Sequence, residues 1–368
     1  MTSSEIQRVT VLGTGLIGTS VALAASRVGI DVTGWDPDAR TLMRAAATGA
    51  LAAADGRAQA IAAAQLVVVC APIAEVAPVV ADALRDAPEA VVTDVASVKG
   101  AIVGAVSERV GAIRGGMARF VPGHPMGGSE RSGPEHASAS VLDGIVWAVA
   151  ATPGTDPAAA ELVERFVAAV GARPIRMTPE RHDRLVAFVS HLPQVASTAL
   201  MGLAATEEAD EPDILLLAAG GFRDLTRLAA SNPALWGEIL GANQERIAEA
   251  IDRFVVRLQR LRTEITEGRT EDVVRSFDEA KRARLRLAAK PTVRAGVGVL
   301  QMEIPDRPGA LARLAAALGE GGVNIEDLQI VHSPEGGRGT VHVTIAGSEA
   351  VTAADVLRGE GFDPVRLA

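Results

Sequence analysis

The sequence predicts a doubly wound α/β nucleotide-binding domain, an all-α domain after it, and a C-terminal ferredoxin-like module. Three observations carry that prediction. First, Gly13-Thr14-Gly15-Leu16-Ile17-Gly18 follows an apolar run at residues 9–12 and precedes a helical stretch at 19–27, so a GxGxxG turn stands between strand and helix, as in a Rossmann βαβ unit. Second, short apolar runs alternate with alanine-rich helical stretches to about residue 152, after which strand signals stop until about residue 289. Third, a strand-helix-strand-strand-helix-strand order begins near Gly298. The boundaries read this way are 1–155, 156–290 and 298–368.

In the first domain Gly13 permits the tight turn, Gly15 lets backbone approach a pyrophosphate, and Gly18 lets the helix lie close on the strand. Leu16 and Ile17 open the helix, whose free N–H groups and partial positive charge suit phosphates. Residues 30–35 form the second strand and Asp36 ends it, about 20 residues beyond the glycines, where a carboxylate accepts hydrogen bonds from adenosine ribose hydroxyls. It would repel a 2′-phosphate, which favours NAD over NADP. Further strands are read at 66–70, 90–95, 119–121 and 145–150, giving a parallel sheet with ligands beyond its carboxyl ends. There Ala71-Pro72, the 94–99 segment and 123–125 converge, which brings Ser97, Lys99 and His124 toward the nicotinamide end.

The helical block reads as a helix at 161–170 and another at 181–201 interrupted near Pro193. A third spans 213–230, a long amphipathic pattern runs from 233 to about 268, and Thr270 is placed to cap the next helix. Such a block after a dinucleotide domain is where substrate binds and subunits pair. Residues 288–298 read as a linker, and the final module has strands at 299–304, 323–331, 340–345 and 364–367 with helices at 310–320 and 350–359.

Composition narrows the function classes. The 368 residues have no tyrosine and only 3% aromatics, so alanine and small aliphatics fill the core. A net charge of −9 argues against nucleic acid and anionic membrane as partners, and requires any anionic substrate to meet locally gathered cations. No apolar run of about 18 residues is read, hence no spanning helix, and the polar N-terminus leaves no room for a signal peptide. The single cysteine, Cys70, excludes an intramolecular disulfide and reads as a buried strand residue; a cytoplasmic location is expected.

The segment Val121-Pro122-Gly123-His124-Pro125-Met126-Gly127-Gly128-Ser129-Glu130 is the most informative peptide. Its histidine, on a stiff turn, has an ordinary pKa near ~6.5 that suits proton transfer, although a turn histidine bonded to backbone has the same spacing. His191, in Ser190-His191-Leu192-Pro193-Gln194, reads as a helix packing residue or a ligand contact. Arg223 and Arg227 lie four apart after Gly220-Gly221, hence on one helical face, where two guanidiniums grip a carboxylate or simply face solvent.

These motifs, with Thr93-Asp94-Val95-Ala96-Ser97-Val98-Lys99, Gly220–Arg227 and Asn232-Pro233-Ala234-Leu235-Trp236, together resemble the prephenate dehydrogenases of tyrosine biosynthesis that carry a C-terminal ACT regulatory domain. The 304–311 and 322–325 segments resemble ACT signatures. The resemblance implies NAD-dependent oxidative decarboxylation of prephenate to 4-hydroxyphenylpyruvate, without a metal. It implies that His124 accepts the proton of the 4-hydroxyl, that Ser97 hydrogen-bonds that hydroxyl, and that Arg227 holds a carboxylate with Arg223 beside it. His191 and Lys99 are then substrate-side groups, and Gly13, Gly15, Leu16, Ile17, Gly18, Asp36, Ala71 and Pro72 hold the cofactor. The cations and the nicotinamide are expected to depress the His124 pKa. The resemblance also implies a homodimer formed through the helical block, and an aromatic amino acid effector, tyrosine, at Asp306, Pro308, Gly309, Asn324 and Ile325. Gly127 and Ala219 depart from the family's commoner residues. Arogenate or dual cyclohexadienyl dehydrogenation is the alternative, with a β-hydroxyacid dehydrogenase and a non-catalytic NAD and amino-acid sensor behind it; no lysine stands between Lys99 and Lys281 to do the proton work of the former.

Overall fold

The structure, a computed structural model of the chain, describes residues 6–111, 113, 115–127, 132–288, 297–332 and 338–366. Most of the expected linker, the Gly128-Ser129-Glu130 end of the histidine motif, the boundary at 290 and Leu367 lie outside the described residues. The chain packs as two compact units, Met1–Leu261 and Arg262–Ala368.

The first unit begins β1 (Arg8–Leu12), α1 (Leu16–Arg27), β2 (Asp31–Trp35), α2 (Ala39–Ala47), β3 (Ala52–Ala53), α3 (Arg57–Ile61), β4 (Leu66–Val69), α4 (Ile73–Asp86), β5 (Val91–Asp94), α5 (Gly100–Val110), α6 (Gly116–Arg119) and β6 (Phe120–Val121). The six strands form one parallel sheet in the order β3-β2-β1-β4-β5-β6. Side chains alternate between its faces. Val9, Val11, Leu66 and Val68 join the core on one side, and Leu12, Val67, Val69 and Val92 the core on the other. Alanine lets α1 come close, with Ala22, Ala24 and Ala25 fully buried.

The strand expected at 145–150 does not join this sheet. β7 (Gly123–Pro125), β8 (Val146–Val149) and β9 (Arg173–Arg176) make a separate three-stranded sheet in which β8 is antiparallel to β7 and parallel to β9. Strand pairing runs on to Arg176, past the expected boundary at 155; β9, four residues long and partly exposed with a proline between arginines, gives no strand signal by itself. Between β8 and β9 lies α7 (Pro157–Ala169), capped by Asp156.

The helical block follows with α8 (Pro179–Val186), a π-helical turn at Ala187–His191, α9 (Leu192–Glu207), α10 (Gly220–Thr226), α11 (Pro233–Ala242) and α12 (Gln244–Thr266). The expected helix at 213–230 starts only at Gly220, and Arg227 opens a 3-10 turn ending at Ala230. The break near Pro193 is the π turn, after which the proline takes a first-turn position where its missing N–H costs no hydrogen bond. Fused through that turn, Pro179–Glu207 is long and apolar enough to cross a membrane by length and composition, one third of its apolar window being buried in the fold. A break at Pro193 hides this run in the sequence, so the expectation of no such helix is corrected here.

The second unit contains α13 (Thr270–Ala288), β10 (Val297–Pro305), α14 (Ala310–Glu320), β11 (Ile325–His332), β12 (Arg338–Ala346), α15 (Ala350–Gly359) and β13 (Val365–Arg366). Its antiparallel sheet runs β11-β12-β10-β13, with both βαβ helices covering an apolar core of Leu300, Leu314, Leu318, Val341, Val343 and Leu357.

Candidate active site

The glycine turn is built by contact distances. Gly13 has φ +94°, and a Cβ there would lie 2.4 Å from the carbonyl oxygen of Cys70. A Cβ on Gly18 would lie 1.9 Å from the carbonyl oxygen of Gly13, so α1 can start against the strand only with glycine there. Gly15, by contrast, meets nothing within 4 Å. It N-caps α1 without a side-chain cap, which leaves first-turn N–H groups to an anion. Asp36 closes the turn from the next strand, accepting from the Thr14 amide at 2.7 Å and the Asp38 amide at 2.9 Å. An open cradle with a carboxylate at its lip fits a dinucleotide. Ala71 and Pro72 follow β4 at the same sheet edge, Pro72 as the N-cap of α4.

Beyond the carboxyl ends of β5 and β6 stands a chain of hydrogen bonds. His124, on β7, has Nδ1 2.8 Å from Nε2 of His182, and Nδ1 of His182 is 2.8 Å from Oδ1 of Asp183. Asp183 also accepts from the Lys99 amide at 2.8 Å and the Gly100 amide at 2.7 Å. Burial raises the Asp183 carboxyl, but the bonds from His182, Gly100 and Lys99 outweigh it and hold it below the usual range. The ionised carboxylate only accepts, so His182 must donate from Nδ1. With both rings neutral, His182 then accepts at Nε2, His124 donates from Nδ1, and the lone pair of His124 is left at Nε2. The pKa of His124 lies well below 6.5, through burial first and then His182, Lys99 and His191; the arginines expected to depress it are not among the causes. In that arrangement His124 is neutral and carries its lone pair at Nε2.

Three family models match the chain: the prephenate dehydrogenase nucleotide-binding domain over residues 21–176, the prephenate dehydrogenase dimerization domain over 178–279, and the ACT domain over 298–357. A prephenate dehydrogenase of Bacillus subtilis is 28% identical over 93% of this chain and 92% of that protein. A cyclohexadienyl dehydrogenase of Zymomonas mobilis is 30% identical over 78% of this chain and 98% of its own. The chain belongs to the prephenate dehydrogenase family. Among solved structures, the A. aeolicus prephenate dehydrogenase in complex with hydroxyphenyl propionate and NAD+ superposes with a TM-score of 0.71 at 30% identity, covering 77% of this chain and 99% of that one. This member of the family is an NAD-dependent oxidoreductase, with NAD its cofactor.

The remaining predicted residues fall in different places. Ser97 is half-buried in the loop after β5. Lys99, expected at the substrate, is fully buried, its ammonium bonded to Asp94 and, at 2.6 Å, to the carbonyl oxygen of Gly123. Its charge is neutralised inside the protein, because Asp94 at the end of β5 also gathers the Ala96 and Gly123 amides and needs a counter-ion. Arg223 and Arg227 are both exposed. His191 is 1% exposed, with Trp236 edge-on at 5.9 Å between ring centres and Asn243 Nδ2 3.3 Å from its Nδ1. In the second unit Asp306, Pro308 and Gly309 line a cavity of about 370 Å³ with Ile304, Leu311 and Ile330, whereas Asn324 and Ile325 are not in its wall.

Sequence reasoning missed His182, Asp183 and Asn243. Arg181-His182-Asp183 follows the capping pair Thr178-Pro179, and a histidine-carboxylate pair in a capped first turn was a usable signal. What it lacked was any sign that His124, 58 residues earlier, lies in reach.

Proposed function

We propose that the chain oxidises and decarboxylates prephenate to 4-hydroxyphenylpyruvate. The observation that carries this reading is the His124-His182-Asp183 chain beyond the carboxyl ends of the sheet, in which His124 Nδ1 is taken by His182 and Nε2 is left for the substrate. NAD, when bound in the glycine cradle, supplies the hydride acceptor. His124 Nε2 takes the proton of the ring hydroxyl as carbon 4 loses hydride, and Ser97 holds the same hydroxyl. The imidazolium that forms keeps its Nδ1–H bond to His182, whose Nδ1–H is held by Asp183. The resulting ketone is conjugated to the ring; loss of the ring carboxylate as CO₂ returns its electron pair to the ring as a phenolate, which takes back the proton held by His124 to give the phenol. Arg227, with Arg223 beside it, holds the side-chain carboxylate, and Lys99 anchors the loop rather than the substrate.

Further parts of the reading are a homodimer formed through the helical block, a cytoplasmic location, and tyrosine acting as feedback inhibitor through the C-terminal module. A dual cyclohexadienyl or an arogenate dehydrogenase is the second reading, favoured by the Zymomonas mobilis relative. Purified protein given NAD+ is expected to form NADH with prephenate faster than with arogenate; the reverse order would establish the second reading. His124→Asn should remove nearly all turnover while NAD still binds. Wild-type turnover in that variant would remove His124 from the mechanism.

A further inference from the structure

Two histidines of this site have their Nδ1 atoms claimed by partners of opposite kind. At His124 the partner is an acceptor, Nε2 of His182. At His191 it is the carboxamide nitrogen of Asn243, a donor. The orientation of that carboxamide follows from its other contact: Asn243 Nδ2 lies 2.9 Å from the carbonyl oxygen of Asp183, which can only accept, so the NH₂ group faces it. Its second hydrogen is then directed at His191 Nδ1, which must carry the lone pair. A neutral imidazole with its lone pair at Nδ1 has its proton at Nε2. Burial first, and then His182, bring the His191 pKa down to about 4 against the opposing pull of Asp183, so the ring is neutral at physiological pH.

Among the described residues Nε2 of His191 makes no hydrogen bond. An N–H on this ring, held edge-on by Trp236, has no acceptor among those residues to compete with and gains a partner when a ligand oxygen arrives. Asn243 is itself 5% exposed, at the break between α11 and α12.

We propose that Asn243 is a positioning residue that locks His191 as its Nε2–H tautomer, making it a dedicated hydrogen-bond donor to a substrate oxygen, the reverse of the acceptor role of His124. The donor half rests on the substrate reading above; the tautomer half does not. One carboxamide thereby serves both histidines, since the carbonyl it holds belongs to Asp183, the end of the His124 chain.

The test is two-bond nitrogen-proton NMR on full-length protein labelled with [15N]histidine, in which the signals lost in His191→Asn identify that ring among the six histidines. A pyridine-type Nδ1 and a protonated Nε2 at neutral pH are expected; a proton on Nδ1 would overturn the assignment whatever the enzyme's substrate. Asn243→Asp places an acceptor opposite Nδ1 and should move the proton there. With the donor lost, KM for prephenate should rise about 10-fold or more, as for a lost bond to a charged group, while the KM for NAD+ is little changed. A proton that moves while KM stays at the wild-type value would remove the donor role.

Discussion

At the scale of single residues, the site works by fixing where protons are. His124 has to be neutral to accept, and its pKa is driven well below 6.5 by burial, His182, Lys99 and His191. The log of kcat/KM should therefore stay flat as pH falls through ~6.5 and bend down only at lower pH, since the acid limb reports the free-enzyme base. An initial-rate pH profile with an acid limb at or above that value would contradict the electrostatics. His182→Asn offers a carboxamide in place of the ring acceptor at the wrong reach from Asp183. It should lower kcat by roughly 10²-fold, at the low end of what proton transfer contributes, while leaving NAD affinity intact in a binding titration.

Elements position these residues through a few close approaches. Lys99 uses its ammonium for Asp94 and the Gly123 carbonyl, and its amide for Asp183, so one residue ties the loop after β5 both to the strand of His124 and to the far end of the relay. Lys99→Met leaves the Asp94 carboxylate buried without its partner and should cost roughly 3–5 kcal/mol in denaturant unfolding. Adding Asp94→Asn should recover part of that loss, because the uncompensated charge is then gone. The π turn at Ala187–His191 inserts the extra residue that aims His191 between Trp236 and Asn243. Gly18→Ala pushes a methyl group to within contact of the Gly13 carbonyl, so α1 must move and NAD binding should fall below detection by calorimetry.

Across the whole molecule, stability follows the buried histidines. His191 titrates near 4 in the folded chain and near ~6.5 unfolded, so below ~6.5 the unfolded chain takes up a proton that the folded chain refuses. Stability should fall as pH drops from ~6.5 to about 4, and the slope of melting temperature against pH in that window should lessen in His191→Asn. Leu216 and Leu217, both about 80% exposed, and Val189 and Leu203 leave apolar surface on the helical block. Sedimentation of full-length protein is expected to give a dimer. In the second unit, Gly309 has φ +89° at the cavity mouth, so Gly309→Val should strain that turn and abolish any heat of tyrosine binding seen in the wild type.

The sequence by itself determined the parts that local chemistry dictates. GxGxxG between strand and helix, Asp36 at the next strand end, and the βαββαβ order were readable because turns, periodicity and caps depend on neighbours in the chain. Gly220-Gly221 and Arg227 were readable as a motif, but the helix start at Gly220 was not, since glycine at a boundary and glycine inside a pattern look alike. Tertiary structure alone decided that β8 leaves the main sheet, that Lys99 turns inward to Asp94, and which nitrogen of each histidine holds a proton. Lys99 and Asp94 are only five apart and His182 and Asp183 adjacent, but what sets their arrangement is contacts between residues 24 to 58 positions apart, Lys99 with Gly123, His124 with His182, His191 with Asn243. A proton's place on an imidazole is set by its partner in space, and no pattern along the chain records that partner.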